Sequence, residues 1–245
     1  MGSRLAIAIV LLIASWLGNP VEAQRPTPAT VIVTPDPVML RASAVRDHFV
    51  AAIERCGARP TYLPSIVANN PDNGIDYNDG DHAVHISRWS KLAPPVRQAM
   101  EGWAGQGTLA LSAEGMWGEI FNEFLVAHEL GHYLESMSGR IDKMDNWQSE
   151  IDADRIALAF WSIDKADAAK LPARVQNYSR FLLSLPNPVP HQQDARRYFQ
   201  SDYETLGKDL SAYGWFQGQF MKIAWAQRGE LSFCDWVKAN PPTRH

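Results

Sequence analysis

Cysteine, clustered basic residues and long apolar segments are all scarce in this chain. Its two cysteines, Cys56 and Cys234, are too few for a disulfide-rich scaffold and lack the C-x-x-C spacing of a cysteine-bound metal site. The net charge is −4 and no basic run occurs, so neither nucleic acid nor an anionic membrane surface is indicated as a partner. No internal repeat is present. The length of 245 residues and the hydrophobic content of 46% fit one or two domains with a sizeable core.

The start of the chain has the pattern of a secretory signal peptide over residues 1–23. Arg4 precedes a largely apolar run from Leu5 to Leu17, and a V-x-A cleavage pattern ends at Ala23. The run is shorter than the roughly 20 residues of a membrane span, although an uncleaved anchor is the alternative. We therefore expect a secreted or periplasmic protein that begins at Gln24 and is not inserted in a membrane.

Export also bears on the two cysteines. An oxidising compartment favours disulfide formation, and Cys56 and Cys234 are the only candidates. We predict one disulfide that joins the two ends of the mature chain.

A spacing typical of metal ligands lies near the middle of the chain. His128 and His132 are four residues apart, and Glu129 follows the first of them. On a helix these two imidazoles lie on one face, one turn apart, and can bind one metal ion. Glu129 lies about 100° around the helix axis from His128, within reach of a metal-bound water. The flanks are apolar, and Gly131 allows a tight interior contact. The alternative is a pair of buried, hydrogen-bonded histidines.

A third protein ligand is expected, because catalytic zinc usually has three and leaves one position for water. Asp145 followed by Gln148 predicts a capping box at the start of a second helix. Glu150 then falls in the first turns of that helix, and Asp154, one turn later, can accept the spare N–H of a ligand histidine. Asp152 competes with Glu150 for the ligand role. Acidic residues here could also simply complement the helix dipole.

His128-Glu129-x-x-His132 followed by the E-x-x-A-D run from Glu150 to Asp154 resembles the glutamate-ligand zincin metallopeptidases, or gluzincins. The resemblance covers about thirty residues. It implies that His128, His132 and Glu150 bind Zn²⁺, that Glu129 is the general base and that Asp154 supports a ligand histidine. It also implies hydrolysis of a peptide or protein substrate.

Attack of water on a peptide carbonyl produces an oxyanion, which needs a donor in addition to the metal. His191 and Arg197 are one choice. Their spacing loosely resembles the H-P-x-x-x-x-R segment of the prenyl-protein (CAAX-type) zincins, although Gln192 stands where that family has proline. An exposed loop histidine is the alternative for His191. Three tyrosines are rivals that the sequence does not rank: Tyr198, Tyr203 and Tyr213.

The overall pattern predicts a predominantly α-helical α+β fold with a small N-terminal sheet and a helical C-terminal lobe, and the gluzincin resemblance implies that this fold is zincin-like. Residues 24–37 form a linker with one short strand, and residues 38–245 form the metallopeptidase domain. The predicted helices span Pro37 to Gly57, Lys91–Trp103, Met116–Met137, the region from Asp145 to Trp161, Ala166–Leu185, Asp194–Leu206 and Asp209–Arg228. Aromatic residues of the last helix are expected in the core rather than in a site: Tyr213, Trp215, Phe216, Phe220 and Trp225.

Three segments bear on the predicted sheet. Tyr62–Val67 is a peripheral strand, because Pro64 interrupts it. Asn69–Asp81 is a solvated, turn-rich loop rather than a calcium site, because the EF-hand register is not satisfied. His82–Ser87 is either an ordinary strand with surface histidines or, by the gluzincin resemblance, the edge strand on which an extended peptide pairs.

These observations together predict a secreted or periplasmic zinc metallopeptidase. The alternative is a zinc-containing envelope binding or assembly factor without catalysis, and a further alternative is a hydrolase of non-protein amides such as cell-wall peptide. The sequence identifies neither the substrate nor the oligomeric state.

Overall fold

The computed structural model describes residues 36–72, 74–104 and 111–243. The predicted signal peptide, its cleavage site and the strand within the linker lie outside the described residues. The described residues form a predominantly helical α+β fold with a small three-stranded sheet, as predicted. Its elements are, in chain order, α1 Pro37–Arg55, β1 Ser65–Val67, β2 Ile75–Asn78, β3 Ala83–Ile86, α2 Pro94–Ala104, α3 Ala113–Glu119, α4 Val126–Met137, α5 Asn146–Trp161, α6 Lys165–Leu183, α7 Ala195–Leu206, α8 Leu210–Ala226 and α9 Phe233–Ala239.

The first helix begins and ends as its sequence predicts. Asp36 caps it by accepting a hydrogen bond from the backbone N–H of Val38 at 3.0 Å, and Pro37 occupies the first helical position. The helix stops before Gly57, whose φ of +86° lies in the left-handed region that glycine tolerates. The predicted disulfide between Cys56 and Cys234 is confirmed, and it joins the end of α1 to the start of α9.

The sheet has the order β1–β3–β2, with β1 parallel and β2 antiparallel to β3. β1 begins directly after Pro64 and lies at the sheet edge, which confirms that it is peripheral. The prediction that His82–Ser87 is the edge strand is wrong, because β3 pairs on both sides. The alternative with surface histidines holds for His82, which is exposed, but not for His85, which is buried.

The prediction of a solvated loop over Asn69–Asp81 is wrong in its second half, where β2 forms. Polar residues such as Asp76 and Asn78 are uncommon in strands. Pairing with β3 outweighs that preference, because Ile75 is buried opposite Ile86 in the register. β2 therefore occupies the edge of the described sheet that lies opposite β1, and it contacts α4.

The single helix predicted for Met116–Met137 is interrupted. A π-helical turn, Ile120–Phe124, separates α3 from α4. Trp117 stacks on Phe121 with ring centroids 3.8 Å apart, and its indole N–H donates to the carbonyl of Ser87. A π turn accommodates an extra residue, so it changes which faces of α3 and α4 align. Nearly every residue of this π turn is buried, so the hydrophobic pattern of the sequence does not reveal the turn.

Helix α4 lies inside the molecule, since it is buried on almost all sides. It packs against α5, and one large apolar cluster surrounds this pair. A smaller aromatic cluster contains Phe216 and Phe220, as predicted for the last helix, while Trp215 and Trp225 are partly buried. None of the described helices combines the length and the apolar character needed to cross a lipid bilayer.

Candidate metal centre

The H-E-x-x-H residues lie at the centre of α4 and form a group that could hold a metal ion. One potential ligand atom from each of His128, Glu129 and His132 lies within 4.8 Å of the others. The two imidazole rings have centroids 4.9 Å apart and are nearly perpendicular. His128 and Glu129 are buried, and His132 is slightly more exposed. The helical spacing therefore brings both rings to one place, as predicted.

Acidic side chains orient both imidazoles through their Nδ1 atoms. His128 Nδ1 lies 2.8 Å from Asp154 Oδ1, the partner predicted from the sequence. His132 Nδ1 lies 3.2 Å from Glu135 Oε2, and Ser149 donates to the same carboxylate oxygen. A carboxylate on Nδ1 fixes the ring and leaves Nε2 as the ligand atom. Sequence reasoning missed Glu135, although its position three residues after His132 on one helix was a usable signal.

Glu150 brings a carboxylate oxygen to the two Nε2 atoms. Its Oε2 lies 3.3 Å from His128 Nε2 and 3.8 Å from His132 Nε2. Atoms that bind one tetrahedral zinc at 2.0–2.1 Å are themselves about 3.4 Å apart. Both distances from Glu150 Oε2 are therefore close to the separation of two ligands around one ion.

Asp152, the competing ligand, lies elsewhere on α5. Its carboxylate accepts a hydrogen bond from the Gln148 side chain at 2.9 Å and faces Arg140 and Arg155. Only half of the predicted capping box is present. Asp145 accepts from the backbone N–H of Gln148, but the Gln148 side chain is bonded to Asp152 instead of returning to the helix start.

Three side chains from distant helices hold Glu150. Tyr213 donates to Oε1 at 2.5 Å and Tyr203 donates to the same oxygen at 3.4 Å, while Gln217 Nε2 donates to Oε2 at 2.6 Å. Burial opposes the charge of Glu150, but bonds with the two histidines keep its pKa well below the ordinary value. Sequence reasoning missed Gln217, whose place one turn after Tyr213 on α8 was its only signal.

Glu129 lies beside the two histidines and also contacts the sheet. Its Oε2 accepts a hydrogen bond from the backbone N–H of Tyr77 at 2.7 Å, so β2 fixes the position of this carboxylate. Burial raises the pKa of Glu129 to about 7, against the lowering effect of His128 and His132. A carboxyl group with such a pKa can both accept and release a proton near neutral pH.

A cavity opens on these residues, and two of the rival tyrosines line it: Tyr203 and Tyr213. His191 and Arg197 are exposed and are not among the residues that line it. The backbone N–H of Arg197 instead takes part in capping α7, where Asp194 accepts it. Tyr198 packs in the smaller aromatic cluster. The structure thus brings together the metal-binding group and two tyrosines, but not the predicted pair of His191 and Arg197. The expectation that Tyr213 belongs to the core rather than to a site is wrong, because it lines the cavity and contacts Glu150.

Two imidazole nitrogens and one carboxylate oxygen are a donor set that suits zinc, and the residues present therefore fit that ion. Comparisons with protein-family models, with curated proteins and with solved structures found no match to this chain. Function is accordingly inferred from the chemistry of the site.

Proposed function

We propose that this protein is a zinc-dependent metallopeptidase with a gluzincin-type site. The observation that supports the proposal best is the meeting of Glu150 Oε2 with the Nε2 atoms of His128 and His132, beside the buried carboxylate of Glu129. A purely structural zinc site would use a fourth protein group as a ligand, whereas here the Glu129 carboxylate is held by the backbone N–H of Tyr77.

Each of these side chains has a distinct role in the proposed reaction. His128, His132 and Glu150 would hold Zn²⁺, which when bound supplies Lewis-acid activation of a water molecule and of the peptide carbonyl. Glu129 takes a proton from the attacking water and returns it to the leaving amine. Its pKa near neutrality suits both transfers, and the N–H of Tyr77 keeps its carboxylate in place.

Tyr203 is the proposed donor to the oxyanion. Tyr203 lines the cavity, and its hydroxyl makes a long bond of 3.4 Å to Glu150 and a hydrogen bond with Tyr213, whereas Tyr213 is bonded to the same Glu150 oxygen at 2.5 Å. Burial raises the pKa of Tyr203, so its hydroxyl keeps its proton at neutral pH. Tyr203 can therefore donate to a developing negative charge, while Tyr213 positions Glu150.

The proposed setting is outside the cytoplasm, in the periplasm or in secreted form, with a peptide or protein as substrate. The Cys56–Cys234 disulfide supports this setting, because such bonds persist in oxidising compartments.

Metal analysis combined with an activity assay tests the proposal. We expect one zinc ion per purified protein, chelator-sensitive cleavage of an unfolded protein, and loss of the metal in His132→Ala. His191→Ala is the matched control, because this exposed histidine does not line the cavity, and it should retain zinc. Absence of zinc in the unaltered protein would overturn the proposal.

Replacement of the general base separates metal binding from chemistry. Glu129→Gln keeps the shape and the hydrogen bond from Tyr77, so it should retain zinc and lose hydrolysis. Undiminished cleavage by this variant would contradict the role of Glu129. Zinc without any cleavage by the unaltered protein would instead favour a non-catalytic envelope binding factor.

A further inference from the structure

The cavity has one acidic side chain that the proposed reaction does not use. Asp76 of β2 lines it together with His128, Glu129 and His132. The Asp76 side chain is 30% exposed, so it is not sealed within the sheet. It precedes Tyr77, whose N–H holds Glu129, and it therefore lies beside the proposed reaction centre.

Among the described residues, only one oxygen of the Asp76 carboxylate has a partner. Oδ2 lies 3.4 Å from Nδ1 of His85, the residue opposite Asp76 in the β2–β3 register. His85 Nε2 lies 3.0 Å from Asp81 Oδ2, so this histidine is shared between two carboxylates. Within the part of the chain that the structure describes, Oδ1 of Asp76 accepts no hydrogen bond. The sheet thus orients the carboxylate without using up its acceptor capacity.

The charges around the cavity favour a positively charged ligand at Asp76. Three carboxylates line the cavity, those of Asp76, Glu129 and Glu150, and no lysine or arginine does so among the described residues. His85 is shared between Asp76 and Asp81, so it is not a dedicated partner of Asp76. Burial raises the pKa of Asp76, so a cationic partner would stabilise its ionised form.

We propose that Asp76 binds a positively charged group of the substrate, an ammonium or a guanidinium, and so selects peptides that carry such a group near the scissile bond. The inference deepens the proposed function and rests on it for the nature of the substrate. The charged group can be the free amino terminus of a peptide or a lysine or arginine side chain, since both offer N–H donors with a positive charge.

Binding to an inactive form tests the proposal without depending on turnover. The probes are short alanine-based peptides with a fluorescent label, bound to zinc-loaded Glu129→Gln. One set is acetylated and carries lysine at each position in turn, a second set carries norleucine there, and a third has a free amino terminus and no lysine. We expect a cationic probe to bind about tenfold or more tightly than its neutral counterpart. Preference for the lysine set identifies a side-chain subsite, and preference for the third set identifies recognition of the amino terminus.

The charge of Asp76 is then removed without a change of shape. In the Glu129→Gln background, Asp76→Asn should abolish the preference for cationic probes. Asp72→Asn removes the same charge from an exposed position of the preceding segment that does not line the cavity, and it should leave the preference unchanged. Zinc content measured in parallel shows whether each variant keeps the site.

The outcomes separate this inference from the proposed function. Equal affinity for the lysine, norleucine and free-terminus probes overturns the role of Asp76, whether or not the unaltered protein is a peptidase. A preference that survives Asp76→Asn also overturns it. A preference that Asp76→Asn abolishes, in a protein that cleaves nothing, supports the cation site and contradicts the peptidase.

Discussion

Gly131 of α4 lies directly against the backbone of Ala153 in α5. A Cβ atom on Gly131 would come within 2.9 Å of the Ala153 Cα atom and 3.0 Å of its carbonyl oxygen. This close approach brings the helix that carries both histidines against the helix that carries Glu150. Gly131 lies within the H-E-x-x-H motif and Ala153 within the E-x-x-A-D run. Their small size allows the two helices to come close enough for Glu150 to reach the histidines.

Gly131→Ala should therefore weaken metal binding. The new methyl group gains up to about 1 kcal/mol of helix propensity, but overpacking of a tight contact costs about 1–3 kcal/mol. The helices must move apart to relieve the contact, which separates Glu150 from the histidines. We expect a loss of zinc affinity of at least about tenfold, measured by competition with a chelating dye.

Gly102→Ala is the matched control for that substitution. Gly102 lies in α2 and an added Cβ would meet nothing within 4 Å. This variant should bind zinc normally and gain up to about 1 kcal/mol in the free energy of unfolding. Unchanged zinc affinity in Gly131→Ala would show that the contact with Ala153 does not set the site.

The parts of the site that the sequence predicted are those that local spacing determines. The helix periodicity placed His128 and His132 together, and it placed Asp154 on the same face as Glu150. The small residue at Gly131 indicated the tight contact that the structure contains. Each of these inferences needs only one helix or a pair of adjacent helices.

Apart from Glu135, which lies on the same helix as His132, the parts that were missed come from distant segments of the chain. Gln217 reaches Glu150 from α8, and Tyr77 reaches Glu129 from a strand whose polar residues predicted a loop. His191 and Arg197 were chosen by their spacing, but they lie outside the residues that line the cavity. Spacing along the chain carries no information on which distant element packs over a site, so Tyr203 and Tyr213 could not be ranked.

The hydrogen bond from Tyr213 to Glu150 predicts a specific effect on metal affinity. Tyr213→Phe removes the donor at 2.5 Å but keeps the ring, so the fold should persist while Glu150 loses one of its two short hydrogen bonds from α8. Loss of such a supporting bond typically lowers metal affinity by about 10–100-fold. Tyr198→Phe is the control, because Tyr198 packs away from Glu150 and should leave zinc affinity unchanged. Equal affinities in the two variants would contradict the supporting role of Tyr213.

Steady-state kinetics can decide between Tyr203 and Arg197 as the oxyanion donor. Tyr203→Phe should lower kcat at least about tenfold with little change in KM, because the donor acts mainly in the transition state. Arg197→Ala should leave kcat within about twofold, since Arg197 is exposed and outside the residues that line the cavity. A large loss of kcat in Arg197→Ala, with little loss in Tyr203→Phe, would instead support Arg197 as the donor, as the sequence spacing suggested.

The disulfide should contribute stability rather than chemistry. Cys56 and Cys234 are separated by 178 residues, and closing so long a loop restricts the unfolded chain strongly. Loss of a native disulfide typically costs about 2–5 kcal/mol. The free energy of unfolding of the double variant Cys56→Ser/Cys234→Ser should fall by that amount, and its denaturation midpoint should move to a lower denaturant concentration. Phe49 packs against Phe233 beside the bond and should keep α9 in place without it, so zinc content should be unchanged. Reductant should destabilise the unaltered protein to the same extent and leave the variant unaffected, whereas two free thiols in the purified, unreduced protein would show that the bond does not form.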